Sequence, residues 1–565
     1  MSKQRGIVRG WALAVAICLL VIIAPQAQLA PPQVVAPAQS APQAQLAAPQ
    51  AQAPAPGKIS PQQASQLLSL VDELIKFSSG ETGLPIKSAV KRQITSRATV
   101  ESFLQKKFEE DESAKRLQRG EIVLEKFGLL DRDFALKPFL LALLKEQIEA
   151  YYDAKTKTVY MLDWVDIEEQ KPVLAHELTH ALQDQHSDLE KWNNQTPDDV
   201  SLNFPDDTDH LARDEMDTAR EAVAEGQATA VMMDYILKPR GKSLVKDPEV
   251  MEFVRQHMIA SEDSPVLARA PLMISESLLF PYREGLSFEQ DVWMDQGQAA
   301  AFAGTLDRPP TSSWEIINPR EYEKRHVPAV PLLPNIHPLV DKLYKPYDIG
   351  QIGQLDLHIL TQLFGGDQAA GNLTPAWDGG LYWAGQRRSA KTPQELASTS
   401  SIALFYLSVW KNSASARAFA RLYADELGRK YSGVTQLRPA DFSAGRSGDE
   451  EQVYSTSEGP AVITIRGKMV FVAESFPLEV ARKLTALILD AQGTGELKMA
   501  EIIQPRAPSF PLFSAERVGN HEATPSTVSA LDSAPLQPLT GNLIRFFSDC
   551  GVMKAAVSAA MQASK

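Results

Sequence analysis

VLAHELTHALQDQH, residues 173–186, sets His176 and His180 four positions apart, with Glu177 directly after the first histidine. Residues four apart share one face of a helix, so both imidazoles can aim at a single point. Glu177 sits about 100° further around the axis, where its carboxylate reaches a water at that point rather than the point itself. This is the HExxH order of zinc hydrolases: two neutral imidazole ligands, and a carboxylate that takes a proton from water acidified by the ion. Five residues alone also arise on ordinary polar helices, so the surroundings have to decide.

The flanks favour chemistry. Val173, Leu174, Ala175, Leu178, Ala181 and Leu182 predict a largely buried helix, and such a helix does not hold two histidines and a glutamate without partners. The start at DIEEQKP places Pro172 in the first turn. A catalytic zinc needs a third protein ligand and an open position. REAVAEGQATAVMMDY, residues 220–235, lies on a helix expected from about Ala212 to Leu237, and puts Glu221 and Glu225 on one face. Its alanines and Gly226 allow close approach of a second helix. Glu225 is the expected ligand. Glu221 is the second choice, as a ligand or as a group that orients a ligand histidine. His186 has the spacing of a third histidine ligand, but that arrangement needs a glycine to break the helix, and residues 181–185 contain none.

Working outward, EAYYDAKTKTVYML (149–162) reads as a hairpin turning at Asp153 to Lys157. Either AYYD or VYML can be the edge strand that pairs with an extended substrate. Upstream, PIKSAVKRQITSR suggests a strand and ISPQQASQLLSLVDELIKF a helix starting at Ser60 or Pro61. Downstream, GLYWAGQRR, SIALFYLSVW, EQVYSTSEG and AVITIRGKMVFVAESF are strand-like, and SASARAFARLYADELG and PLEVARKLTALILDA are amphipathic helices. The expected class is α+β: a mainly helical catalytic domain with a small sheet over residues 58–335, then a smaller α+β domain over 336–500 and a tail over 501–565.

The 565 residues carry a formal net charge of -13, which argues against a nucleic-acid partner, since that role needs a basic surface. The two cysteines, Cys18 and Cys550, build no disulfide framework and no thiolate metal site, so any metal must use His and carboxylates. Residues 1–30 read as a signal peptide or anchor: Lys3, Arg5 and Arg9 precede an apolar run from Trp11 to Ala24, too short for a span of ~20 residues. Left uncleaved, that segment would tether the protein to a membrane. Residues 31–57, almost wholly Pro, Ala and Gln, read as an extended linker. The folded parts are therefore expected outside the cytoplasm.

The sequence resembles the gluzincin metallopeptidases, which join HExxH to a downstream glutamate, and more narrowly a group of bacterial exported proteins. The shared stretches are AYYDAKTKTVYML, VLAHELTHALQDQH and AREAVAEGQATA, then LLFPYREG, PPTSSWEIINP and TPAWDGGLYW, spanning about residues 85–435. The resemblance implies a zincin-like fold with Zn2+ on His176, His180 and Glu225, Glu177 as general base, and a peptide or protein substrate. It also leads one to expect His-Pro where this chain has Asn318-Pro319. By residue type, Tyr282 and His257 are donors for an oxyanion, and the pattern selects neither. Two other readings stand beside peptide hydrolysis: a zinc-binding module of the cell envelope without hydrolytic activity, and an interaction protein working through residues 336–500.

Overall fold

The computed structural model describes residues 59–110, 112–195, 203–257, 264–326, 329–438, 448–492, 539–541 and 543–544. The segments read as a signal peptide or anchor (1–30) and as a linker (31–57), and most of the C-terminal tail, lie outside these residues. The described residues belong to one compact unit, of class α+β.

The first helix, Pro61–Thr82, starts as expected: Ser60 caps it, with Gln63 bonding back to the Ser60 amide. Its apolar stripe packs on the HELTH helix, Ile167–Ser187, and Ser78 Oγ donates to the Ala175 carbonyl at 2.9 Å. Above these helices lies a three-stranded sheet of β1 (Lys91–Thr95), β2 (Ala150–Asp153) and β3 (Thr158–Leu162), in the order β1-β3-β2. The expected hairpin is β2 and β3, paired from Ala150↔Met161 to Asp153↔Thr158. β3 is central, with β1 parallel on its other side. Among the described residues no strand pairs with the far side of β2, so AYYD rather than VYML is an edge.

Two helix boundaries differ from expectation. Asp166 caps the HELTH helix by accepting from the Glu168 amide, so Pro172 falls inside the helix rather than in its first turn. The helix carrying Glu225 begins at Met216 rather than near Ala212, after a separate helix Phe204–Arg213. The break comes at two buried carboxylates used elsewhere: Asp214 accepts the Gln351 amide at 2.5 Å, and Glu215 accepts the amide and hydroxyl of Ser313.

The second sheet has seven strands: β4 (Tyr344–Gln351), β5 (Trp377–Arg387), β6 (Ile402–Trp410), β7 (Thr435–Gln436), β8 (Glu450–Thr456), β9 (Gly459–Arg466) and β10 (Met469–Glu474). Their order is β4-β5-β6-β10-β9-β8-β7. β4 was not foreseen, because Pro346 and Gly350 disguise it. A proline is tolerated on an edge strand, and the register shifts between Pro346 and Asp348. On the central strand β6 both faces are buried, with period two. Leu404 and Tyr406 join the core shared with the helices around the HELTH segment, while Phe405 and Leu407 pack towards the helix Leu478–Ala491. Lys126, at the end of helix Glu112–Phe127, ties the first half to this sheet, donating to Glu458 Oε2 at 2.6 Å and Ser475 Oγ at 2.7 Å. Among the described residues no helix is long and apolar enough to cross a membrane.

Candidate metal centre

The HELTH helix and the helix Met216–Leu237 pack directly on each other. Val173, Leu174, Ala175, Leu178, Ala181 and Leu182 are all fully buried, which turns the opposite polar positions towards the second helix. His176 Nε2 lies 3.1 Å from Glu225 Oε2, His180 Nε2 lies 3.4 Å from the same oxygen, and the two Nε2 atoms are 2.9 Å apart. His176 and Glu225 are buried, while the His180 side chain keeps 13% of its surface open. These three residues form a group able to hold a metal ion.

Electrostatics in the metal-free chain follow from burial and proximity. Burial pushes the His176 imidazole down to about 4. Burial alone would raise Glu225, but His180 and His176 overcome it and hold this carboxylate well below its usual range. His180 is opposed by burial too, yet the facing Glu225 lifts it to about 9. Glu177 is buried beside the triad, and Oε1 has no hydrogen-bond partner. Burial raises its carboxyl to about 7, against the pull of His180 and of the Tyr152 backbone amide on β2. The edge of β2 that no strand pairs among the described residues therefore lies next to Glu177.

The other residues singled out in the sequence are placed as follows. Glu221 is not in the triad; its Oε1 accepts from Asn193 Nδ2 at 2.9 Å. His186 faces Asp307 at 2.9 Å. The side chain of His257 lies outside the described residues. Asn318 bonds the Trp314 carbonyl and Gln354 Oε1, a structural tie between two helices.

Tyr282, named earlier by type alone, belongs to the site. Its ring lies face to face with His176 at a centroid distance of 6.3 Å, and its buried hydroxyl is turned towards Glu225, with Glu177 and Glu221 also near. It is carried by a π-helical turn, Pro281–Gly285, a form concentrated at functional sites. Pro281 has no N–H to close an α-turn, and Gly285 lets the backbone come very near the helix with Glu225. A Cβ on Gly285 would lie 2.1 Å from the Ala222 carbonyl oxygen, and one on Gly226 would lie 2.3 Å from the Gly285 carbonyl carbon. Gly226→Ala should therefore cost at least the ~1–3 kcal/mol of ordinary overpacking, since backbone rather than a side chain must give way. Chemical unfolding of the variant measures the loss; an unchanged midpoint would contradict this contact.

Gln183 and Gln227 had no sequence signal beyond being polar on apolar helices. Both are fully buried behind the triad. Comparison with models of known families, with curated proteins and with solved structures finds no match to this chain.

Proposed function

We propose that this chain is an exported, zinc-dependent peptidase of zincin type. The observation that carries the reading is the convergence of His176, His180 and Glu225 at 2.9–3.4 Å, with an unbonded Glu177 oxygen beside them. Those spacings match the edges of a zinc tetrahedron, roughly 3.3 Å for metal–ligand bonds of about 2.0–2.1 Å. Two imidazole nitrogens and one carboxylate oxygen are also a zinc donor set. A zinc ion held there would acidify a water and polarise a substrate carbonyl.

The chain's own groups supply the remainder. Glu177 accepts the proton of the attacking water and returns it to the departing amine. An extended peptide pairs with the open edge of β2, which brings its backbone next to Glu177 and makes binding depend on main chain more than side chain. The Tyr282 hydroxyl, buried beside Glu225 and Glu177, donates to the oxygen that becomes negative during attack. The basic and apolar N-terminal sequence supports export.

Tyr282→Phe should lower kcat by about 10²-fold, as for loss of one oxyanion donor, with KM and zinc affinity nearly unchanged. Steady-state kinetics with a zinc titration separates these; a kcat equal to wild type would remove Tyr282 from the chemistry. The function as a whole is tested by incubating the zinc-loaded full chain with an unbiased peptide library, read by mass spectrometry with and without a chelator. Cleavage that stops on chelation supports the peptidase. Zinc binding with no cleavage would replace it with a binding role.

A further inference from the structure

Behind His180 lies a buried chain of amide hydrogen bonds that leads away from the metal centre. His180 Nδ1 is 2.8 Å from Gln183 Oε1. Gln183 Nε2 donates to the Ala224 carbonyl and to Gln227 Oε1, each at 2.9 Å. Gln227 Nε2 faces the carbonyls of Ala301 and Phe302 at 3.0 Å and Thr305 Oγ1 at 2.8 Å. Thr305 in turn donates to the Ala301 carbonyl at 2.7 Å. Ala301 and Phe302 belong to a second π-helical turn, Ala300–Gly304.

The direction of this chain is not free. A backbone carbonyl only accepts, so the end of Gln227 that meets two carbonyls must be its NH2. Its Oε1 then faces Gln183 and must receive a hydrogen. The Ala224 carbonyl imposes the same orientation on Gln183. Gln183 Oε1 is thus left pointing at His180 Nδ1, and the only compatible arrangement puts a proton on Nδ1. Nε2, the atom aimed at Glu225 and His176, is left as the nitrogen for a metal, which would displace the proton that Glu225 holds there in the metal-free chain.

We infer that Gln183 and Gln227 are positioning residues that fix His180 in the metal-binding tautomer and orientation, with three main-chain carbonyls setting the direction. His180 is the triad member with an open face, so it has most to gain from being held from behind. Histidine ligands commonly give their second N–H to an acceptor, and losing that acceptor costs 10–100-fold in metal affinity. Gln227 never touches His180; it acts by orienting Gln183.

This inference deepens the zinc reading and rests on it. The test is zinc(II) affinity, by competition with a chelator, alongside the unfolding midpoint of the metal-free chain, for wild type, Gln183→Met, Gln183→Glu, Gln227→Met and the double Met variant. Gln183→Met keeps the volume and loses the acceptor, and should weaken zinc binding by about 10–100-fold. Gln183→Glu keeps the acceptor but brings a carboxyl against the Ala224 carbonyl, so it should bind zinc at least as well as wild type while being the least stable. The double Met variant should bind no more weakly than Gln183→Met alone, because both changes act through one contact. If affinity simply follows stability across the set, or Gln183→Met binds like wild type, the relay is wrong. If wild type itself binds no zinc, the metal reading fails instead.

Discussion

Glu177→Gln should leave zinc bound and reduce peptide hydrolysis by about 10²–10⁴-fold, the usual share of a general base. The substitution is close to isosteric, so the helix packing around Val173, Leu174 and Leu178 is untouched. Glu177 is not one of the three converging residues, so the donor set for the metal survives. Its Oε1 carries no hydrogen bond, hence no structural contact at that atom is lost, and exchanging a buried carboxyl for an amide removes an ionisable group from a buried position. Only the ability to take a proton disappears. Zinc content, unfolding midpoint and cleavage rate should therefore separate cleanly: the first two held, the third collapsed. A variant that cleaves as fast as wild type would assign the base elsewhere. A variant that loses zinc as well would mean that Glu177 supports the metal rather than the proton transfer.

The pieces that could be read from the sequence are those governed by local pattern. The HELTH helix was legible because an apolar stripe surrounds its polar residues, and β2–β3 because two aromatic and β-branched runs flank a polar turn ending at Lys157, which adopts φ 55°. The apolar and aromatic run SIALFYLSVW became β6, buried on both faces. What escaped depends on contacts between distant segments. β4 contains Pro346 and Gly350, which suit an edge strand and a close approach to Asp214 and Tyr382 but spoil the strand pattern. The helix with Glu225 starts late because Asp214 and Glu215 answer Gln351 and Ser313, more than ninety residues away. The glutamine relay left no trace for the same reason. An isolated polar residue on a buried face announces that it has partners, not which ones. Tyr282 had the right chemistry, but its place depends on a π-turn seated on Gly226 and Gly285, which no periodicity encodes.

The choice between Glu225 and Glu221, four residues apart on one helix, should be decided by a pair of alanine variants. Glu225→Ala removes one of three donors and should weaken zinc binding by more than the 10–100-fold typical of an orienting residue, and hydrolysis with it. It also leaves His176 and His180 facing each other at 2.9 Å without the carboxylate between them, so the imidazoles are no longer drawn to a common point. Glu221→Ala should behave differently. Its carboxylate receives Asn193 Nδ2, so its loss leaves a part-buried amide short of an acceptor, at ~1–3 kcal/mol, while the triad keeps all its donors. The expected pattern is thus a crossed one: Glu225→Ala costs metal, and Glu221→Ala costs stability. Chelator competition and unfolding of both metal-free variants read the two quantities independently. A loss of zinc confined to Glu221→Ala would move the third ligand one helical turn towards the N-terminus. Equal losses in both would mean that Glu221 holds Glu225 or His180 in place through contacts that matter as much as the ligand itself.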